Sequence, residues 1–224
     1  MNFIFVSPHF PKTYWNFCDR LHRNGVNVLG IGDAPFDEIP WELKQCLTEY
    51  YRVNDLGNYD EMLRAVAYFT FHYGKIDWIE SNNEYWLEMD AQLRTDFNIN
   101  TGAKNDFIER IKYKSKMKES YIAAGVPVAR YHIVSTLAEA RAFIKEVGYP
   151  VIAEATYKLR NFTELKEFYA EPHNVRYIME EYINGTIVSF DGVADSHCVP
   201  LFYTSNVFPT PLLDIVSQNG DLSY

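Results

Sequence analysis

The sequence predicts an α/β protein, with an N-terminal doubly wound parallel sheet followed by a separate α+β unit. Three observations carry this. Over residues 1–102, short apolar runs alternate with segments of helical period. Asn98-Ile99-Asn100-Thr101-Gly102 then breaks the alternation. Beyond it strands follow one another more closely, and Arg176–Gly192 reads as strand, turn, strand about Asn184-Gly185.

Asn2–Val6 is an apolar run suited to a buried parallel strand. Tyr14, Phe17, Cys18 and Leu21 recur at helical spacing, and Asn24-Gly25 stops that helix. Val26–Ile31 is the second strand, Pro35–Tyr50 carries a helix, and Tyr51–Val53 is a short strand. Asn58 or Asp60 caps a helix with Met62, Val66 and Phe69 on one face. Ile76–Glu80 is the next strand, and Ser81–Glu84 leads into a helix bearing Trp86, Met89 and Leu93. Asn105–Ala124 reads as one basic helix, ended by Gly125-Val126-Pro127. Ala129–Val134 is a strand, and Ser135-Thr136 caps a helix through Val147. Val151–Ala153 and Tyr157–Leu159 are strands, Asn161–Ala170 is a helix, and Val199–Val207 is a last strand.

Composition narrows the function. The chain is 47% hydrophobic, ample for a packed core, and its formal charge of −9 shows no basic face of the kind nucleic acid requires. Cys18, Cys46 and Cys198 are far apart and suit buried thiols in a reducing compartment. His197 and Cys198 are neighbours on a strand and point to opposite faces, which argues against a shared metal. No apolar run approaches the ~18 residues of a membrane span, and the N-terminus lacks a basic leader. The expectation is a cytoplasmic protein with no nucleic-acid partner, no membrane partner and no metal held by its own residues.

Ligands of doubly wound sheets bind beyond the carboxyl ends of the strands, here the loops Ser7–Pro11, Gly30–Asp33 and Ser81–Glu84. Gly30-x-Gly32 follows the second strand and lacks a third glycine, which argues against a dinucleotide. Asn82, Asn83 and Glu84 are candidate substrate contacts, although an acid at Glu84 also suits a helix start. The lysines of 105–124 read first as a solvated face. Glu180 and Glu181 end one strand and Asp191 ends the next. They suit either a surface hairpin with solvated acids or a nucleotide hinge, where strand-end backbone groups meet an adenine edge.

The order of these parts resembles the ATP-grasp superfamily, nearest to members similar to the large subunit of carbamoyl-phosphate synthase. Ser81–Arg94 followed by Ile99–Gly102 is similar to the glutamate-bearing helix and closing glycine of that family's N-terminal domain. Lys114, ahead of Gly125-Val126-Pro127, matches the first nucleotide lysine. Gly148–Ile152 matches the strand leading to the second, and Met179-Glu180-Glu181-Tyr182-Ile183-x-Gly185 matches the adenine hinge. The resemblance implies a pre-ATP-grasp domain over 1–102, a first ATP-grasp subdomain over 103–182 and the start of a second over 183–224, the whole incomplete. It implies ATP and Mg2+ as cofactors, and joining of a small-molecule carboxylate to an amine through an acyl-phosphate. It also gives roles. Lys114 holds a phosphate, and Ile152 and Met179 sandwich the adenine. The Glu181 carbonyl and Ile183 N–H meet its edge on either side of Tyr182. The Glu180 side chain accepts from its amino group, and Asp191 meets ribose.

Two departures stand beside the matches. After Val151-Ile152 the chain runs Ala153-Glu154-Ala155-Thr156, without the family's second lysine or glycine-rich flap. The family's magnesium-binding residues lie past Tyr224. The favoured expectation is a fuller chain holding both parts. The other is a non-catalytic nucleotide-binding or regulatory module. The open edge of the first sheet admits a homodimer.

Overall fold

The computed structural model describes residues 1–153, 157–170, 177–195, 197 and 199–209. The chain divides into two compact units, Met1–Ser120 and Tyr121–Tyr224.

The first unit builds its sheet from β1 (Asn2–Val6), β2 (Asn27–Gly32), β3 (Glu49–Arg52) and β4 (Trp78–Glu80), all parallel, in the order β3-β2-β1-β4. The chain steps outward from β1 to β3 and then returns to the other side of β1. The switch point therefore lies between β1 and β4. Helices α1 (Trp15–Arg23), α2 (Trp41–Cys46), α3 (Tyr59–Tyr73) and α4 (Leu87–Asp96) cover the strands. Alternation along β1 sends Phe3 and Phe5 into a core with Cys18, Leu43 and Cys46. It sends Ile4 and Val6 into another with Met62, Val66, Phe69 and Leu93. Two buried faces make the sheet doubly wound, as the sequence predicts.

Two local expectations are corrected. The helix over Pro35–Tyr50 is broken, because Ile39 and Pro40 are extended (ψ 148° and 145°). A 3-10 turn, Phe36–Glu38, precedes the break and α2 follows it. The basic helix is also two pieces, α5 (Glu109–Lys112) and α6 (Lys114–Ala123), with Tyr113 extended between them. Lys112 and Tyr113 both bond the Glu88 carboxylate, at 2.7 and 2.6 Å. Asn105 Nδ2 donates to Gln92 Oε1 and Arg94 to the Ala103 carbonyl. These bonds tie Ala103, Asn105, Lys112 and Tyr113 to α4, within the first unit. Gly30 and Gly32 serve packing: a Cβ at Gly32 would collide with the Tyr50 hydroxyl, and one at Gly30 would stand 3.1 Å from Leu47 and Tyr50.

The second unit carries β5 (Tyr131–Val134), α7 (Leu137–Val147), β6 (Val151–Ala153), β7 (Tyr157–Leu159), α8 (Phe162–Ala170) and β8 (Tyr177–Glu181). Thr136 and Glu139 form a reciprocal capping box at the start of α7. The strands form an antiparallel sheet in the order β5-β8-β6-β7. Val151, Ala153, Leu159 and Met179 pack with Ala140, Phe143, Leu165 and Phe168 of the helices. Beyond β8 lie β9 (Ile187–Val188), β10 (Asp191–Ala194), β11 (Pro200–Thr204) and β12 (Val207–Phe208). β9 pairs with β12 and β10 with β11. Strands stand on both sides of Asn184-Gly185, as the sequence predicts, but they do not pair with each other as a hairpin. Both edges of β8 are taken by β5 and β6, leaving none for β9. The strand expected over Val199–Val207 is likewise two, with Ser205-Asn206 between them.

Candidate nucleotide site

β8 places the hinge residues. Its ladder with β6 ends at the pair Val151–Glu181, and its ladder with β5 at Tyr131–Glu180. Tyr182 to Gly185 continue outside these ladders, so the sheet does not claim their backbone groups. The Glu181 carboxylate is already engaged. Arg130 donates to it through Nε, Nη2 and its backbone N–H, at 2.8, 2.6 and 2.8 Å. The Glu181 side chain therefore braces the strand end against Arg130.

Register sets which side chains share a face. Ile152 pairs with Glu180 on β8 and with Lys158 on β7, and Glu180 pairs with Tyr131 on β5. Lys158, Ile152, Glu180 and Tyr131 therefore form one row across the sheet, on the face away from α7 and α8. All four are partly exposed. Tyr182 joins the row from beyond the strand end: the Lys158 amine sits 3.8 Å from the centre of its ring. Met179 lies on the other face, fully buried against the helices and opposite Ala153. Ile152 and Met179 thus do not flank one ring, a correction that follows from strand alternation.

The remaining expected residues lie elsewhere. Ile183 is 63% exposed just past the ladder. Lys114, exposed at the first turn of α6, belongs to the first unit. Asp191 begins β10, in a different sheet, and accepts from Ser189 Oγ at 2.7 Å. Asn82 and Asn83 follow β4, with Asn82 at φ 52° and Asn83 capping the 3-10 turn Glu84–Trp86. Arg176, residues 154–156 where the flap is missing, Cys198 and the segment past Pro209 lie outside the described residues.

Sequence reasoning passed over a second polar cluster, at the carboxyl ends of the parallel strands. Asp90 is fully buried on α4, and its Oδ2 accepts from Ser81 Oγ at 2.6 Å and Ser81 N at 3.1 Å. Burial raises its carboxyl to about 7. Arg94, 2% exposed, donates to the Ile79 carbonyl and to Glu80 Oε2 at 2.8 Å. His9 Nε2 lies 3.1 Å from Asp33 Oδ1, and burial lowers the imidazole despite that carboxylate. The Asp90-to-Arg94 spacing on a helix leading from a strand end was the available signal. It does not distinguish a buried pair from a solvated one.

A groove of about 750 Å³ lies between Gly125–His132 and α7, lined in part by Val126, Pro127 and Phe143. It contains none of the hinge residues.

Solved proteins share this fold. The structure superposes on N5-carboxyaminoimidazole synthetase from Staphylococcus aureus complexed with ADP with a TM-score of 0.73 and 15% identity, covering 97% of this chain and 60% of that one. The chain shares its fold with solved ATP-grasp proteins. Another ATP-grasp structure, the biotin carboxylase domain of 2-oxoglutarate carboxylase from Hydrogenobacter thermophilus with MgADP and bicarbonate, matches with a TM-score of 0.69 and 20% identity. There the match covers 87% of this chain and 47% of that one. L-amino acid ligase from Bacillus licheniformis matches with a TM-score of 0.65 and 15% identity, over 94% and 52%. This chain thus spans about half the length of the ATP-grasp structures it matches. No family model matches the sequence. No curated protein matches it either.

Proposed function

We propose that the chain binds ATP along the Glu180–Ile183 strand end, as part of an ATP- and Mg-dependent carboxylate–amine ligase of the ATP-grasp class. The observation that supports this most is the row of Ile152 and Glu180 on the face of the sheet away from α7 and α8. It runs beside backbone groups that the ladder does not use.

In this reading the Glu181 carbonyl accepts from the adenine amino group and the Ile183 N–H donates to the ring edge. Ile152 lies against the ring, and Glu180 accepts from the amino group. Lys114 holds a phosphate as a point charge, and Asp191 meets ribose. The proposal includes the division into a pre-ATP-grasp domain over 1–102, a first subdomain over 103–182 and the start of a second over 183–224. ATP supplies a phosphoryl group that activates a carboxylate as an acyl-phosphate for attack by an amine. Among the described residues no three or more His, Cys, Asp or Glu gather where they would hold a metal. Magnesium would come with the nucleotide, offsetting the charge of its phosphates.

Asn82, Asn83 and Glu84, at the carboxyl end of β4, are the proposed contacts for a small-molecule substrate. The likeness to carbamoyl-phosphate synthase, a cytoplasmic location and a homodimer through the sheet edge belong to the same proposal. Among the described residues no helix is long and apolar enough to cross a membrane. Calorimetry with Mg-ATP, followed by ADP release over a panel of carboxylates and amines, tests the proposal. Absence of any nucleotide binding would overturn it.

The sequence between Val151 and Tyr157 favours a second reading, since it has neither the family's second lysine nor its glycines. A non-catalytic nucleotide-binding module would bind Mg-ATP and release no ADP with any pair of the panel.

A further inference from the structure

Resting on the proposed nucleotide site, we propose that Lys158 holds a phosphate oxygen of the bound nucleotide, doing from β7 what the lysine missing after Ile152 would do from β6. Three observations carry this. The register Ile152–Lys158 puts Lys158 on the same face as Ile152 and Glu180, beside them and away from the helices. Its neighbours along the strand face the other way: Leu159 is 5% exposed in the helix-side core, and the Tyr157 ring packs on Phe168 and Tyr177. The amine is also held in place, 3.8 Å from the centre of the Tyr182 ring and next to the hinge.

A tyrosine face attracts a cation without neutralising it. The Lys158 amine brings a full charge and three donors to that ring. Its charge and donors remain available to an anion, and an ammonium on a flexible stem suits a single phosphate oxygen. Tyr182 limits the freedom of that stem, so less conformational entropy is lost when the anion binds. Tyr182, which the lysine touches, lies between Glu181 and Ile183 in the chain, so the amine stands beside the proposed nucleotide hinge.

The test compares adenosine with Mg-ADP, titrated calorimetrically into the whole chain as wild type, Lys158→Met and Lys158→Arg. Methionine keeps an apolar stem against Tyr182 and removes the charge. The expected result is an Mg-ADP affinity about 10- to 100-fold weaker in Lys158→Met, the range for a hydrogen bond to a charged group. Adenosine should change by less than about 2-fold, and Lys158→Arg should stay within about 5-fold of wild type for Mg-ADP. Unchanged Mg-ADP affinity in Lys158→Met overturns the proposal. An equal loss for adenosine and Mg-ADP also overturns it, and assigns the amine to shaping Tyr182. Wild-type protein that binds neither removes the nucleotide site itself, and the role of Lys158 falls with it.

Discussion

Replacing Asp90 with asparagine should flatten the pH dependence of stability of the first unit. Asp90 is fully buried, with Ser81 donating to Oδ2 and with Glu80 and Arg94 as the nearest charges. Burial lifts its pKa from 3.8 to about 7. Between those values the folded protein keeps a proton that the unfolded chain has released. The folded state therefore binds more protons, and stability falls as pH rises through this window. At about 1.36 kcal/mol per pKa unit, the cost of Asp90 is about 2 kcal/mol at pH 5 and about 4 kcal/mol at pH 8. Wild type should thus lose about 2–3 kcal/mol between these pH values that Asp90→Asn does not lose.

The comparison is between slopes because the asparagine amide carries its own cost. It has no partner at the position of Oδ1, which makes no hydrogen bond. Urea unfolding followed by tryptophan fluorescence reads the right unit, since Trp15, Trp41, Trp78 and Trp86 all lie in it. If the loss from pH 5 to pH 8 agrees between the two proteins to within about 0.5 kcal/mol, Asp90 does not carry the buried proton.

Other expectations follow from the same geometry. Met179→Ala, at a fully buried position on the helix-side face, should destabilise the second unit by about 2–5 kcal/mol in chemical unfolding. Gly102→Ala should lower the melting temperature. Gly102 has φ 81°, and its Cβ would stand 2.8 Å from Arg94 Nε. No change in melting temperature would refute this role for Arg94. Lys114→Ala should weaken ATP binding by about 1.5–3 kcal/mol, and a change of only a few tenths would mark Lys114 as surface charge.

The parallel sheet was legible because its strands are buried on both faces and so read as unbroken apolar runs at Asn2–Val6 and Val26–Ile31. Helix ends were legible where one residue decides them, as Asn58 and Thr136 do by capping. The break at Ile39-Pro40 was visible in the sequence but outweighed by the helical spacing around it. Pairing was not legible. β9 follows β8 by a short turn, yet its partner is β12, because the edges of β8 go to strands far away in sequence. The same non-local register hid Lys158 and put Met179 on the wrong face of the expected site. Asp90 and Arg94 were missed because a polar residue on a helix looks alike in sequence whether water or another side chain satisfies it.

Calorimetric titration of Mg-ATP into the whole chain and into Ile183→Pro tests the hinge most directly. Proline removes the one N–H that the adenine edge needs, at an exposed position beyond the ladder. The predicted result is one nucleotide bound per chain, at least about 10-fold more weakly in Ile183→Pro. No heat from the wild-type chain, or equal affinity in the two proteins, would contradict a nucleotide site at Glu180–Ile183.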